Sequence, residues 1–207
     1  MARAFSRASS QSITAASSTA LELGTGPFSV AATIYPYTVD YTATSSGVVF
    51  SKGIDPSNYF DLEVYQSKVR AGVGTALMDS PVIPVNAVYR VMVTRSGTAL
   101  SLYVNGALVA SSTSSASVSN PTKNVTIGVR PGTSYFFNGE ISEVAMWSAA
   151  LGGDEMIAYM KTYSAAVLRP QALVFYAPLV RDVVELKRGL ALTNNGTTVV
   201  PHQRIRF

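Results

Sequence analysis

Apolar and polar residues alternate along most of this chain in short runs, separated by Gly, Pro, Asn and Ser. Period-two runs of this kind predict half-buried strands. In FSVAATIYP, Phe28, Val30, Ala32 and Ile34 share one face, and Pro36 ends the run because it cannot donate to a strand ladder. Residues 47–53 read as a short strand bounded by glycines. Residues 59–65 set Phe60, Leu62 and Val64 inward and Asp61 and Glu63 outward, with 69–73 as the partner. Residues 89–94 put Val91 and Val93 on one face, and Ser96-Gly97 turns the chain back. Residues 125–129 and 172–179 add strands, and 190–200 reads as a strand pair around Asn194-Asn195-Gly196. Ala4-Phe5, Ser12-Ile13 and Leu21-Glu22-Leu23 read as one or two edge strands.

The best-specified turn is in ALSLYVNGALVAS, residues 99–111. Asn105-Gly106 supplies the two positive-φ positions of a type I′ hairpin turn. That turn sets Val104 opposite Ala107, Leu102 opposite Val109 and Leu100 opposite Ser111. Both faces are partly apolar, so the hairpin is expected near the centre of the fold, covered on both sides. In 135–147, Phe137, Gly139 and Ile141 keep one parity while Val144 and Met146 keep the other, which predicts a β-bulge near Ser142-Glu143. The single helix expected is 154–163, with acidic Asp154 and Glu155 in its first turn and Lys161 near its end. Close-spaced strands with one short helix predict an all-β antiparallel sandwich, and 207 residues suit one such domain over 1–207.

Four stretches resemble the laminin-G-like branch of the concanavalin A-like lectin/glucanase superfamily. They are PFSVAATIYP, then GVVFSKG with YFDLEVYQSKVRAGVG, then VNAVYRVMVTRSGTALSLYVNGALVAS, and lastly YFFNGEISEVAMWSAALGGDEMIAYM. The resemblance implies a lectin-like jelly roll of two curved sheets, with N- and C-terminal strands lying near each other. Val88-Tyr89-Arg90 stands where the family often has Trp-His, and Gly152-Gly153 where it has an N-cap serine. The ending, RDVVELKRGLALTNNGTTVVPHQRIRF, is similar to the tails of short proteins of this branch in tailed-phage structural gene sets.

Composition narrows the chemistry. Cysteine is absent, which removes disulfides and thiolate metal sites. The net charge of +4 is dispersed, densest at Lys187, Arg188, Arg204 and Arg206, and lacks the basic, aromatic-interleaved stripe of a nucleic-acid binder. MARAFSRASSQSI lacks the apolar region of a signal peptide and no run is long enough to span a bilayer, so neither general secretion nor a membrane is expected. Glucan-cleaving relatives carry three carboxylates at alternate positions of one strand; here Asp61 and Glu63 are followed by Tyr65. No enzyme and no catalytic residue are therefore expected. His202 is the sole histidine and reads as a surface or interface residue. Asp40, Asp55, Asp79, Asp154 and Asp182 sit on loop-like segments and read as turn and cap residues, so no metal or cofactor is expected. The sequons at Asn124 and Asn195 lack a secretory context. Tyr35, Tyr37, Tyr41, Tyr135 and Trp147 could stack on sugars, though Trp147 is expected in the core.

These features lead to the expectation of a virion structural protein of a tailed phage. In that reading it is a capsid decoration (cement) protein, localised to the virion and assembled in the host cytoplasm. It would act by contacts with the major capsid protein and with its own copies, for instance as a trimer. Segment 180–207 would form the interface. The alternative is a carbohydrate-binding, lectin-like adhesion module or a tail receptor-binding component, with a glycan as ligand.

Overall fold

The period-two runs do become strands. A computed structural model describes residues 1–39, 41–42, 45–53, 58–162 and 164–201. In chain order these form β1 (Ala2–Phe5), β2 (Ser12–Ala15), β3 (Phe28–Pro36), β4 (Gly47–Lys52), β5 (Phe60–Tyr65), β6 (Lys68–Val73), β7 (Ala76–Val82) and β8 (Tyr89–Ser96). Then follow β9 (Ala99–Val104), β10 (Ala107–Thr113), β11 (Val125–Ile127), β12 (Gly139–Trp147), α1 (Gly153–Lys161), β13 (Leu173–Ala177), β14 (Leu192–Asn195) and β15 (Thr198–Val200). One sheet runs β10-β9-β8-β3-β12-β1-β15, with β13 also paired to β12; the other runs β14-β2-β11-β4-β5-β6-β7. All the named strands pair antiparallel, giving the sandwich that the alternation predicts.

The inner faces meet as the pattern requires. Phe28, Val30, Ala32 and Ile34 of β3 pack with Phe60, Leu62 and Val64 of β5, and Phe28 meets Phe60 edge-on at 5.5 Å. The predicted bulge lies in β12, where the register against β3 jumps between Ser142 and Ala145 and Glu143 has φ +54°. The extra residue puts both Ile141 and Val144 in the core and turns Ala145 and Trp147 to the opposite face. There α1 covers them with Met156 and Tyr159. Trp147 is fully buried as expected, its indole N–H donating to the Leu168 carbonyl at 2.7 Å. The missing N-cap serine is offset by Glu155, whose carboxylate accepts the Gly152 N–H at 2.8 Å. Tyr163, the expected helix end, lies outside the described residues.

Four expectations need correction. Asn105 and Gly106 do have positive φ and Val104 faces Ala107, but the register slips after Leu108, so Ala110 faces Leu102 and Ser112 faces Leu100. The hairpin is also peripheral: β10 is the sheet edge and Leu108 is 55% exposed. An edge strand has one partner, so a bulge there disturbs one ladder only. The alternation reading omitted β7, a second edge strand, whose Pro81 such a position tolerates. Asp79 accordingly lies in a strand rather than a loop.

The fourth correction concerns the chain ends. Residues 190–200 are not a hairpin, because β14 pairs with β2 in one sheet and β15 with β1 in the other. Strands β1 and β2 therefore gain second neighbours and are not edges. The crossing is fastened by Asn194, whose side-chain oxygen accepts the Thr197 N–H and hydroxyl, and by Arg3, whose guanidinium donates to the Thr197 and Arg181 carbonyls. Before it, the Glu185 carboxylate accepts the backbone N–H groups of Tyr176, Lys187, Arg188 and Leu190. N- and C-terminal strands thus do lie together, as the resemblance implied.

Candidate functional site

Because Phe60, Leu62 and Val64 point into the sandwich, Asp61, Glu63 and Tyr65 must point to the outer face of the second sheet. Register then sets Glu63 beside Arg70, Asp61 beside Gly72, and Arg70 beside Asp79. The two carboxylates do face away from the core, yet they are not at a solvated edge: Asp61 is 1% exposed and Glu63 5%. Their cover is Arg130, from the loop after β11. Its Nε donates to Asp61 Oδ2 at 2.5 Å and its Nη2 to Glu63 Oε2 at 2.9 Å. The same guanidinium lies 5.0 Å from the Tyr135 ring centre and 6.0 Å from that of Tyr59. A second guanidinium, Arg70, donates from Nε and Nη2 to both Asp79 oxygens at 2.6 and 2.8 Å and stacks on Tyr65 at 3.8 Å.

Between these groups is an open cleft of about 220 Å³, lined among others by Tyr59, Tyr65, Tyr135, Glu63, Arg70 and Arg130. Gly72 makes room for one wall, since a Cβ there would come within 2.9 Å of the Tyr59 hydroxyl. Ser46 also lines the cleft, and its buried Oγ has no hydrogen-bond partner among the described residues. The same holds for Asp61 Oδ1. Burial pushes the Asp61 carboxyl up to about 7, against the pull of Arg130. Burial also raises the Tyr59 hydroxyl, so the phenol stays protonated and able to donate. The result is a set of aromatic faces surrounding donors and acceptors whose orientations are fixed by one another. Such a set suits a ring bearing several hydroxyl groups.

Of the aromatic residues singled out by sequence, only Tyr135 reaches the cleft. Tyr35 and Tyr37 meet edge-on at 5.9 Å, and the Tyr37 hydroxyl donates to Glu140 at 2.9 Å. Tyr41 is buried, its hydroxyl accepting the Asn138 N–H. Asp79 is paired with Arg70, Asp154 sits in the first turn of α1, and Asp182 is exposed. No three His, Cys, Asp or Glu residues converge for a metal ion among the described residues. Asp40, Asp55 and His202 lie outside them. Sequence reasoning missed Tyr59, Tyr65, Arg70 and Arg130. For Tyr65 a signal existed, since it shares the parity of Asp61 and Glu63.

The laminin-G model of the concanavalin A-like lectin/glucanases superfamily matches residues 7–156, a span that contains every cleft residue. The chain belongs to this superfamily. No curated protein matches it significantly. Among solved structures of this lectin-like fold, a Bacteroides ovatus protein assigned to carbohydrate binding superposes with a TM-score of 0.73 at 19% identity. The match covers 95% of this chain but 58% of that one, so this chain spans under two thirds of its length. The enzymatically active domain of bacteriophage CBA120 tailspike protein 2 gives 0.59 at 18% identity, over 85% of this chain and 29% of that one. The sialyllactose-bound CBM40 of a Ruminococcus gnavus sialidase gives 0.53 at 16%, over 65% and 83%. At these identities the likeness establishes the lectin-like sandwich fold. No helix among the described residues is long and apolar enough to cross a membrane.

Proposed function

We propose that this chain is a non-enzymatic, lectin-like binding module and that the outer-face cleft of the second sheet takes a saccharide. The observation that carries the reading is the ring of Tyr59, Tyr65 and Tyr135 around guanidiniums already held in place by carboxylates. Membership of a lectin superfamily and likeness to carbohydrate-binding domains support it, although fold alone does not assign function. At about 220 Å³ the cleft is smaller than the roughly 300–1,000 Å³ of drug-sized pockets and suits one sugar ring rather than a buried chain. Asp61 and Glu63 share one guanidinium, which supports a positioning role for them over hydrolysis. Screening on a glycan array should give saccharide hits, and Tyr135→Ala should weaken the best of them at least about tenfold with an unchanged melting temperature. Full retention of binding by Tyr135→Ala would move the site elsewhere.

A second reading concerns where the module works. We place it in a virion, as a capsid decoration protein on the major capsid protein or as a tail component; the likeness to a phage tailspike domain supports the tail form of this reading. Exposed β14 and the segment leading to it would supply the contacts, with its own copies as further partners. Purified protein should then sediment with particles that lack it, and failure to do so at micromolar concentration counts against this placement.

A further inference from the structure

We infer that the cleft selects uncharged saccharides over acidic ones, with Glu63 as the residue that sets this selectivity; the inference rests on the saccharide reading above. The strongest partner for a sugar carboxylate is a guanidinium fork or an ammonium group free to meet it. Neither guanidinium lining the cleft is free. Arg130 is held by Asp61 and Glu63, and Arg70 meets both oxygens of Asp79 while its face rests on Tyr65. Two cations therefore face three carboxyl groups, and even with Asp61 protonated they face two. Lys68 is across the register from Tyr65 but does not line the cleft, and residues 37–47 and 53–58, which flank it in sequence, contain no Lys or Arg. Glu63 Oε1 carries no hydrogen bond among the described residues, which leaves it as an acceptor for a sugar hydroxyl. An acidic sugar entering there would set like charges together or break the Arg130–Glu63 pair, whereas a neutral one adds hydrogen bonds without displacing any.

The test compares an array of neutral probes (arabinotriose, lactose, cellotetraose) with acidic ones (sialyllactose, trigalacturonate), followed by calorimetry of the best hits at pH 8. Wild type is expected to prefer the neutral set at least about tenfold. Glu63→Gln keeps the shape of the side chain and leaves Arg130 with one carboxylate partner. It should narrow the neutral-to-acidic ratio about tenfold, chiefly by strengthening the binding of the acidic probes. Acidic probes that match or beat the neutral ones on wild type overturn the inference while leaving the saccharide reading intact, and this arm does not depend on the folding of the variant. An unchanged ratio in Glu63→Gln removes Glu63 as the determinant. If wild type binds nothing on the array, the saccharide reading falls and takes the inference with it.

Discussion

Asp61→Asn should make the protein more resistant to unfolding above neutral pH, although it removes one half of an ion pair. In the folded chain the Asp61 carboxyl is buried, with one oxygen unpaired, and protonates near pH 7; its ordinary value is 3.8. Between those values the folded state holds a proton at this site that the unfolded state has released. Stability must then fall as pH rises through this window, by about 1.4 kcal/mol per unit, and on the order of 4 kcal/mol across it. Asparagine keeps an acceptor for Arg130 and does not titrate. Between pH 5 and 8, wild type should lose about 3 kcal/mol relative to Asp61→Asn. With a urea dependence of about 2 kcal/mol/M, the midpoint difference should change by about 1.5 M. Urea unfolding of both proteins at half-unit pH steps reads this directly. Glu22 and Asp79 shift the other way, because Lys52 and Arg70 lower their carboxyls, so their stabilisation is lost only below about pH 4. Parallel curves, or a wild type that gains on the variant as pH rises, would refute the reasoning.

Two further perturbations test the frame around the site. Glu185→Ala deprives four backbone N–H groups of their acceptor and should cost about 2–4 kcal/mol, with new protease cleavage around 186–190 and an intact cleft; protease resistance equal to wild type would deny the carboxylate its anchoring role. Gly128→Ala meets a backbone at φ +84° and would place a methyl 2.3 Å from the Phe5 ring, so melting should drop by about 6–12 °C or the protein should fail to fold, and a drop under about 2 °C would show that β1 can shift to make room.

What the sequence made legible was decided within a few residues. The Asn105-Gly106 turn, the parity of β3, β5 and β8, and the Ser142-Glu143 bulge are all local consequences of side-chain size and φ. The pairing of β14 and β15 was not legible, because Asn195-Gly196 is an ordinary hairpin signal and the strands that win are those beginning near residues 2 and 12. The hairpin β6–β7, with its Gly74-Thr75 turn between paired Val73 and Ala76, carried a readable turn signal, and the alternation reading passed over it. For the site, alternation showed which way Asp61 and Glu63 point but not what lies over them. Their cover is an arginine 67 to 69 residues downstream, and no period in a single strand encodes it.

The crossing at Asn195-Gly196-Thr197 also orders events in time. Strands β1 and β2 each wait for a neighbour encoded more than 170 residues later, so both sheets remain one strand short until the ribosome has released the residues up to Val200. A nascent chain paused before that point would present two unpaired four-residue edges at once, β1 and β2. Those edges face the same missing segment, and its arrival closes both.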